Sequence, residues 1–142
     1  MHIIAAKAVC FEEAMQPSFK TYIQNVINNT AYLCRGMQEA GIKIISGGTQ
    51  THLFLIDLSD TKKSGAVVQD ELAKYNIVVN KNKIFNDKRT ATETSGIRVG
   101  CAFITNFKKL DKNALDEIKS IFTHVILGTE EPKIKYLKRV FK

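Results

Sequence analysis

An arginine between two glycines is the residue of this sequence best suited to bind a small anion. Arg98 stands in the segment TSGIRVG at 94–100, where an apolar strand pattern carries Gly96 and Gly100 on either side. The chain has four arginines against seventeen lysines, and only a guanidinium offers a carboxylate two parallel donors. We therefore predict that Arg98 is a carboxylate receptor. The alternative is an arginine in an ordinary surface ion pair.

Composition limits the classes of function that the chain can have. With 142 residues, of which 44% are hydrophobic and 25% charged, it is expected to form one soluble domain with a real core. The net charge of +7 would suit a nucleic-acid partner only if the basic residues were concentrated on one face. The lysines are spread along the whole chain, so we predict no nucleic-acid binding.

The cysteines and histidines give no pattern for a metal site or a disulfide framework. Cys10, Cys34 and Cys101 are too widely spaced for either, and the three histidines are isolated from one another. No stretch approaches the roughly 20 apolar residues of a membrane span, and the N-terminus has no signal-peptide pattern. We predict a cytoplasmic protein with no metal and no membrane partner.

Helical periodicity occurs in five segments. We predict an apolar helix over 1–15 and a second helix that Ser18 caps and Gly41 follows. A third is predicted to open at Ser64 or Gly65 and to run through Tyr75, with a buried face drawn from Ala66, Val67, Leu72 and Tyr75. A fourth follows at 110–125, and a last short basic helix starts at Pro132.

Strand patterns alternate with these helices. They are predicted at 42–45, 52–58, 77–79 and 96–99, with the second strand central in its sheet, and a polar loop of about fourteen residues spans 80–93. The fold class is α+β: a small antiparallel or mixed sheet covered by helices and preceded by a long N-terminal helical arm.

Four motifs follow one another along the chain. They are HIIAAKAV at 2–9, SGGT with HLFL at 46–55, NKN at 80–82 and TSGIRVG at 94–100. In this order and at this spacing they resemble the C-terminal part of serine hydroxymethyltransferase. The resemblance implies a fold-type I pyridoxal-phosphate enzyme, cytoplasmic in bacteria and usually a homodimer or homotetramer. Such an enzyme interconverts serine and glycine and passes the one-carbon unit to tetrahydrofolate.

The resemblance also implies roles for three residues. Arg98 matches the arginine that holds the α-carboxylate of serine or glycine, Asn82 matches the asparagine that contacts the folate pteridine, and Thr90 falls at a folate-contacting position. A loop-capping asparagine is the alternative for Asn82, and a purely structural threonine is the alternative for Thr90. No catalytic, cofactor-binding or metal-binding residue is assigned to this chain.

The resemblance divides the chain into a linking helix at 1–17 and a C-terminal small domain at 18–142. On this resemblance, the chain has no counterpart of the family's Schiff-base lysine, of the aspartate that pairs with the pyridine nitrogen, or of the aromatic residue that stacks on the ring. We therefore expect a fragment, a truncated form or the product of a split or decayed gene, which is inactive alone and does not bind pyridoxal phosphate.

Departures from the family pattern lie near the expected folate site. Phe85 stands where proline is common, and ATE at 91–93 and CAF at 101–103 replace other residues. Two alternatives remain open. One is a noncatalytic docking module that joins a chain carrying the large domain, or a second copy, through the apolar helix 3–11. The other is the small domain of another fold-type I enzyme, such as an aminotransferase.

Overall fold

The chain begins with two consecutive helices that differ in their surroundings. In the computed structural model, which describes residues 1–107 and 109–140, helix α1 spans His2–Met15 and helix α2 spans Pro17–Glu39. Every residue of α1 is exposed. Helix α2 instead buries one stripe against the domain: Val26, Thr30, Leu33, Cys34 and Met37.

The two ends of α2 test the predicted caps. The prediction for Ser18 is wrong, because Gln16 takes the cap position in an extended conformation and Pro17 begins the helix. Gly41 is confirmed as the residue that ends it, with a φ of +88°. Its N–H donates to the carbonyl of Gln38 at 2.9 Å, and Ile42 N–H donates to Met37 at 3.0 Å, which is the hydrogen-bond pattern of a Schellman motif.

Three antiparallel strands form the sheet. They are β1 (Leu53–Asp57), β2 (Asn80–Asn82) and β3 (Gly96–Gly100), in the order β1-β3-β2. The fold class is therefore α+β, as predicted, but β3 and not β1 is the central strand.

Two predicted strands are wrong. Segment 42–45 contributes only one bridge, between Ile44 and Ile56, because the backbone turns at Ile45–Gly47 with Ser46 at a φ of 63°. Segment 77–79 follows Asn76, which has a φ of 58°, and pairing with β3 begins only at Asn80.

The remaining helices cover one face of the sheet. Helix α3 (Gly65–Ala73) is capped by the Ser64 hydroxyl and α5 (Lys112–Leu127) by Asp111, while α4 (Ala102–Thr105) and α6 (Leu137–Val140) are short. The core joins α2, α3 and α5 to the buried strand residues Phe54, Ile56, Ile97 and Val99.

Two details of these helices correct the prediction. In α3 the buried valine is Val68, whereas Val67 is exposed. The last helix starts at Leu137 and not at Pro132. Lys108 lies outside the described residues, as do residues 141–142 at the end of the predicted basic helix.

Within the described part of the chain, no helix combines the length and apolar character that a membrane crossing requires. The same residues contain no group of three or more histidine, cysteine, aspartate or glutamate side chains placed to hold a metal ion.

Candidate carboxylate-binding site

Arg98 lies at the centre of the sheet on the face that the helices leave open. It is opposite Leu55 of β1 and Asn80 of β2, and residues directly paired across antiparallel strands share a face. Its neighbours Ile97 and Val99 are buried on the other face, under the helices. Alternation along the strand therefore exposes the Arg98 side chain.

The guanidinium of Arg98 is available for a ligand. Among residues 1–107 and 109–140 it has no hydrogen-bond acceptor and no carboxylate within ion-pair distance. The surface ion pair that was the alternative for Arg98 is therefore not observed among these residues. A free planar fork on a central strand is suited to a planar anion such as a carboxylate.

The two glycines beside Arg98 are required by close backbone approaches. A Cβ on Gly96 would lie 2.6 Å from the Asn82 carbonyl oxygen and 2.7 Å from Ile84 Cγ2, and one on Gly100 would lie 2.9 Å from the His52 carbonyl oxygen. Such distances are shorter than packed atoms allow. As a consequence, Arg98 is the one residue of β3 with a side chain on the open face.

Asp57 is the carboxylate on this face that could compete for Arg98. It pairs with Gly96, which makes it a diagonal neighbour of Arg98. Its carboxylate is instead held by Lys43 Nζ at 2.9 Å and by the Ser59 N–H at 2.8 Å. Burial raises the pKa of Asp57, but these hydrogen bonds outweigh burial, so the pKa lies below its ordinary value.

Asn82 shares the open face with Arg98. It pairs with Gly96 and is half-buried, and a diagonal position across antiparallel strands puts its Cβ roughly 7 Å from that of Arg98. No residue in the described part of the chain accepts from or donates to its side-chain amide. The loop-capping role that was the alternative for Asn82 is therefore not seen.

Asn80 was missed by the sequence reasoning, although it lies directly opposite Arg98. The signal was present in the sequence NKN, because two asparagines at i and i+2 lie on one face whenever their segment is a strand. Because the sequence pattern predicts a loop at 80–93, it does not predict that the two asparagine side chains share a face.

Thr90 lies outside the sheet, in a turn that closes with a hydrogen bond from Thr94 N–H to its carbonyl at 2.9 Å. Its hydroxyl contacts the Thr92 hydroxyl at 2.9 Å and the Glu93 carboxylate at 3.3 Å. The pairing of β2 with β3, which puts Asn82 on the face of Arg98, does not include Thr90.

Asp87 and Arg89 organise the loop between β2 and β3, and neither was singled out from the sequence. Asp87 accepts from the Ser95 hydroxyl at 2.7 Å, the Ser95 N–H at 2.8 Å and the Arg89 N–H at 3.0 Å. Chiefly through the Ser95 hydroxyl, these bonds lower the pKa of Asp87 to about 2. The Arg89 guanidinium donates to the carbonyls of Thr61 at 2.7 Å and Leu58 at 3.2 Å, and to the Ser95 hydroxyl at 3.2 Å.

These observations define an α+β domain whose sheet presents one unpaired arginine, and the comparisons with known proteins supply its family. The family described as serine hydroxymethyltransferase matches residues 1–122. Curated proteins named serine hydroxymethyltransferase, from the Coxiella burnetii strains Dugway 5J108-111 and RSA 331 / Henzerling II, are 48% identical over 117 residues. The chain therefore belongs to the serine hydroxymethyltransferase family.

The match is unequal in coverage. It takes in 81% of this chain but 28% of each Coxiella burnetii relative. The chain thus spans about 28% of the length of the curated relatives that it matches.

The residues of the open face do not by themselves fit pyridoxal phosphate. A Schiff base requires a free lysine amine, and the positions of β1, β2 and β3 on this face carry neither lysine nor an aromatic ring. Lys43, which flanks β1 here, is ion-paired with Asp57 and Asp60. The chemistry of this face fits a carboxylate at Arg98 and not the cofactor.

Proposed function

We propose that this chain supplies the substrate-carboxylate arginine and part of the folate site of a serine hydroxymethyltransferase, which interconverts serine and glycine with transfer of the one-carbon unit to tetrahydrofolate. The observation that carries the proposal is the unpaired Arg98 guanidinium on the central strand. In the complete enzyme, bound pyridoxal phosphate supplies the electron sink for the reaction. The present chain alone is proposed to be inactive.

The role of Arg98 is binding and orientation. Two parallel N–H donors fix the plane of the α-carboxylate of serine or glycine, and with it the direction of the bonds at the α-carbon. The open face leaves room for this ligand because Gly96 and Gly100 contribute no side chains. A lysine would supply the charge without the orientation.

The proposed folate contacts are Asn82 and Thr90. The Asn82 amide offers both a donor and an acceptor, which suits the edge of a pteridine ring, and its position on the face of Arg98 supports this role. The exposed Thr90 hydroxyl would have to exchange its contacts with Thr92 and Glu93 for the folate.

The proposed division of the chain is a linking helix at 1–17 and a small domain at 18–142. Helix α1 supports this division because it is exposed along its whole length, with large apolar side chains in water: Ile3, Ile4, Val9, Phe11 and Met15. Apolar surface of this kind is typical of a region that packs against a partner, here proposed as a chain that carries the large domain or a second copy.

A chimaera tests the proposed function. In the Coxiella burnetii relative, the segment matched by this chain is replaced with the residues of this chain, and serine-dependent glycine formation is assayed with pyridoxal phosphate and tetrahydrofolate. We expect activity in the chimaera and none in the isolated chain. A folded chimaera that binds the cofactor but does not turn over serine would contradict the proposal, as would turnover by the isolated chain.

The exposure of α1 also favours a second candidate function, a noncatalytic docking module. Size-exclusion chromatography and binding of a hydrophobic dye test it on the isolated chain, with a control in which Ile4 and Phe11 are both changed to serine. Docking predicts self-association or dye binding that the control loses. A monomer that stays compact on dilution and binds no dye would exclude it.

A further inference from the structure

A charged row crosses the sheet beside Arg98. Lys43 is opposite Asp57, whose N–H donates to the Lys43 carbonyl at 2.8 Å, and Asp57 is opposite Gly96 of the central strand. Residues that face each other in this way lie on one side of the sheet. Lys43 and Asp57 are therefore on the face that carries Arg98.

Asp57 is the more buried member of this pair. Its side chain is 7% exposed, whereas that of Lys43 is 57% exposed. A buried carboxylate keeps its charge only if cations or N–H groups compensate it, and here Lys43 and Ser59 do so. Without Lys43, the cation on the same face at a diagonal position is Arg98.

A long side chain can reach a diagonal neighbour across antiparallel strands. Without Lys43, the charge of Asp57 would therefore attract the Arg98 guanidinium and would also repel an incoming anion. Either effect lowers the affinity of the open face for a carboxylate.

We propose that Lys43 is a positioning residue that neutralises Asp57 and so keeps Arg98 available to the substrate carboxylate. This inference rests on the proposed function of Arg98. Neither the motif pattern nor the family resemblance singles out Lys43.

Acetate serves as the probe, because it offers a carboxylate and nothing else. Heteronuclear NMR of the isolated chain follows the Arg98 Nε–Hε signal as acetate is added, with acetamide as the neutral control. We expect Lys43→Met to weaken acetate binding about three- to tenfold, the size of one charge interaction near a protein surface. The double variant Lys43→Met/Asp57→Asn is expected to recover the wild-type affinity, since it removes the charge that Lys43 compensates.

Matched controls separate positioning from a structural effect. Asp60→Asn removes the other carboxylate that contacts Lys43 and is expected to leave acetate binding unchanged. If Lys43→Met does not fold, Asp57→Asn alone gives the test, because the proposal predicts equal or tighter acetate binding.

Three results would overturn the proposal. Lys43→Met could bind acetate like wild type, the double variant could remain as weak as Lys43→Met, or Asp57→Asn could bind more weakly. In each case wild-type binding at Arg98 leaves the proposed function intact. Absence of a saturable shift at Arg98 in the wild-type chain would instead contradict the proposed function itself, and the role of Lys43 with it.

Discussion

Arg89 and Arg98 occupy the same stretch of chain in opposite physical situations. The Arg89 guanidinium donates to two backbone carbonyls and one hydroxyl, and so joins the loop before β3 to the segment after β1. The Arg98 guanidinium has no such acceptor in the described residues and stands on the open face of the central strand. One arginine is used by the fold, and the other has no partner among the described residues.

Residue type alone is therefore a poor guide to the role of an arginine. A guanidinium has five N–H donors, and a structural arginine uses them on acceptors that the fold brings near. Arg98 has no such acceptors among the described residues and is flanked by glycines that close packing requires. An arginine in this situation contributes little to stability. We therefore expect a substitution at Arg98 to change binding but not stability, and a substitution at Arg89 to change stability but not binding.

The largest effect is expected for Arg98→Lys in the chimaeric enzyme. Loss of the bidentate geometry should lower kcat/KM for serine by about tenfold or more, while the absorbance of the bound cofactor is retained. Since Arg98 has no partner to lose, the free energy of unfolding of the isolated chain should change by less than about 0.5 kcal/mol. Steady-state kinetics and urea unfolding measure the two quantities. Unchanged serine kinetics would remove Arg98 from the site.

Arg89→Lys is expected to give the reverse pattern. An ammonium cannot reach the carbonyls of Leu58 and Thr61 and the Ser95 hydroxyl together, so the free energy of unfolding should fall by about 1–2 kcal/mol. Acetate binding at Arg98 should stay within about twofold of wild type under conditions where the variant is folded, because the altered contacts lie in the loop. A variant as stable as wild type would show that the Arg89 contacts do not support the fold.

The strand that carries Arg98 could be predicted from the sequence, and the strand opposite it could not. The apolar alternation and the glycines of 94–100 are local signals, and β3 formed where they indicated. Strand β2 is made of Asn80, Lys81 and Asn82, which have low strand propensity, and it forms because it pairs with β3. Pairing of this kind is non-local, so the sequence pattern fails for two neighbouring segments. It predicts a strand for the apolar segment 77–79, which forms none, and a loop for 80–82, which forms β2.

The hydrogen-bond partners of side chains also could not be predicted from the sequence pattern. The Asp87 carboxylate accepts from Ser95, which the chain reversal between β2 and β3 brings near. The Arg89 guanidinium donates to Leu58 and Thr61 in the segment after β1 as well as to Ser95. In contrast, Gly41 was predicted correctly, because a helix end followed by glycine is a local signal. The end of α2 could therefore be predicted from the sequence, whereas the assignment of side-chain partners required the fold.

A smaller effect is expected for Asn82→Ala in the chimaera. Removal of the amide that is proposed to contact the pteridine should raise KM for tetrahydrofolate by about three- to tenfold, with little change in KM for serine. Lys81→Ala is the matched control, since Lys81 pairs with Ile97 on the other face and should change neither constant. Equal effects of the two substitutions on KM for tetrahydrofolate would argue against a folate contact at Asn82.

The smallest effect is expected for Asp87→Asn, and it depends on pH. The pKa of Asp87 in the folded chain, about 2, is below the ordinary value of 3.8. The carboxylate therefore stabilises the fold fully above pH 3.8, and this contribution is lost as the pH falls toward 2. Urea unfolding should find Asp87→Asn less stable than wild type near neutral pH, with a difference that shrinks in acid.

Asp70→Asn, at an exposed position of α3, is the control for Asp87→Asn and should match wild type across the same pH range. A stability difference for Asp87→Asn that does not vary with pH would exclude the ionised carboxylate as its cause.

We propose that Arg98, unlike Arg89, is free to bind a carboxylate. One heteronuclear NMR titration with glycine tests it directly, because the Nε–Hε signals of Arg89 and Arg98 are read in the same spectrum of the wild-type chain. We predict a saturable shift of the Arg98 signal and a constant Arg89 signal. An Arg98 signal that does not move, or two signals that drift together without saturation, would contradict the claim.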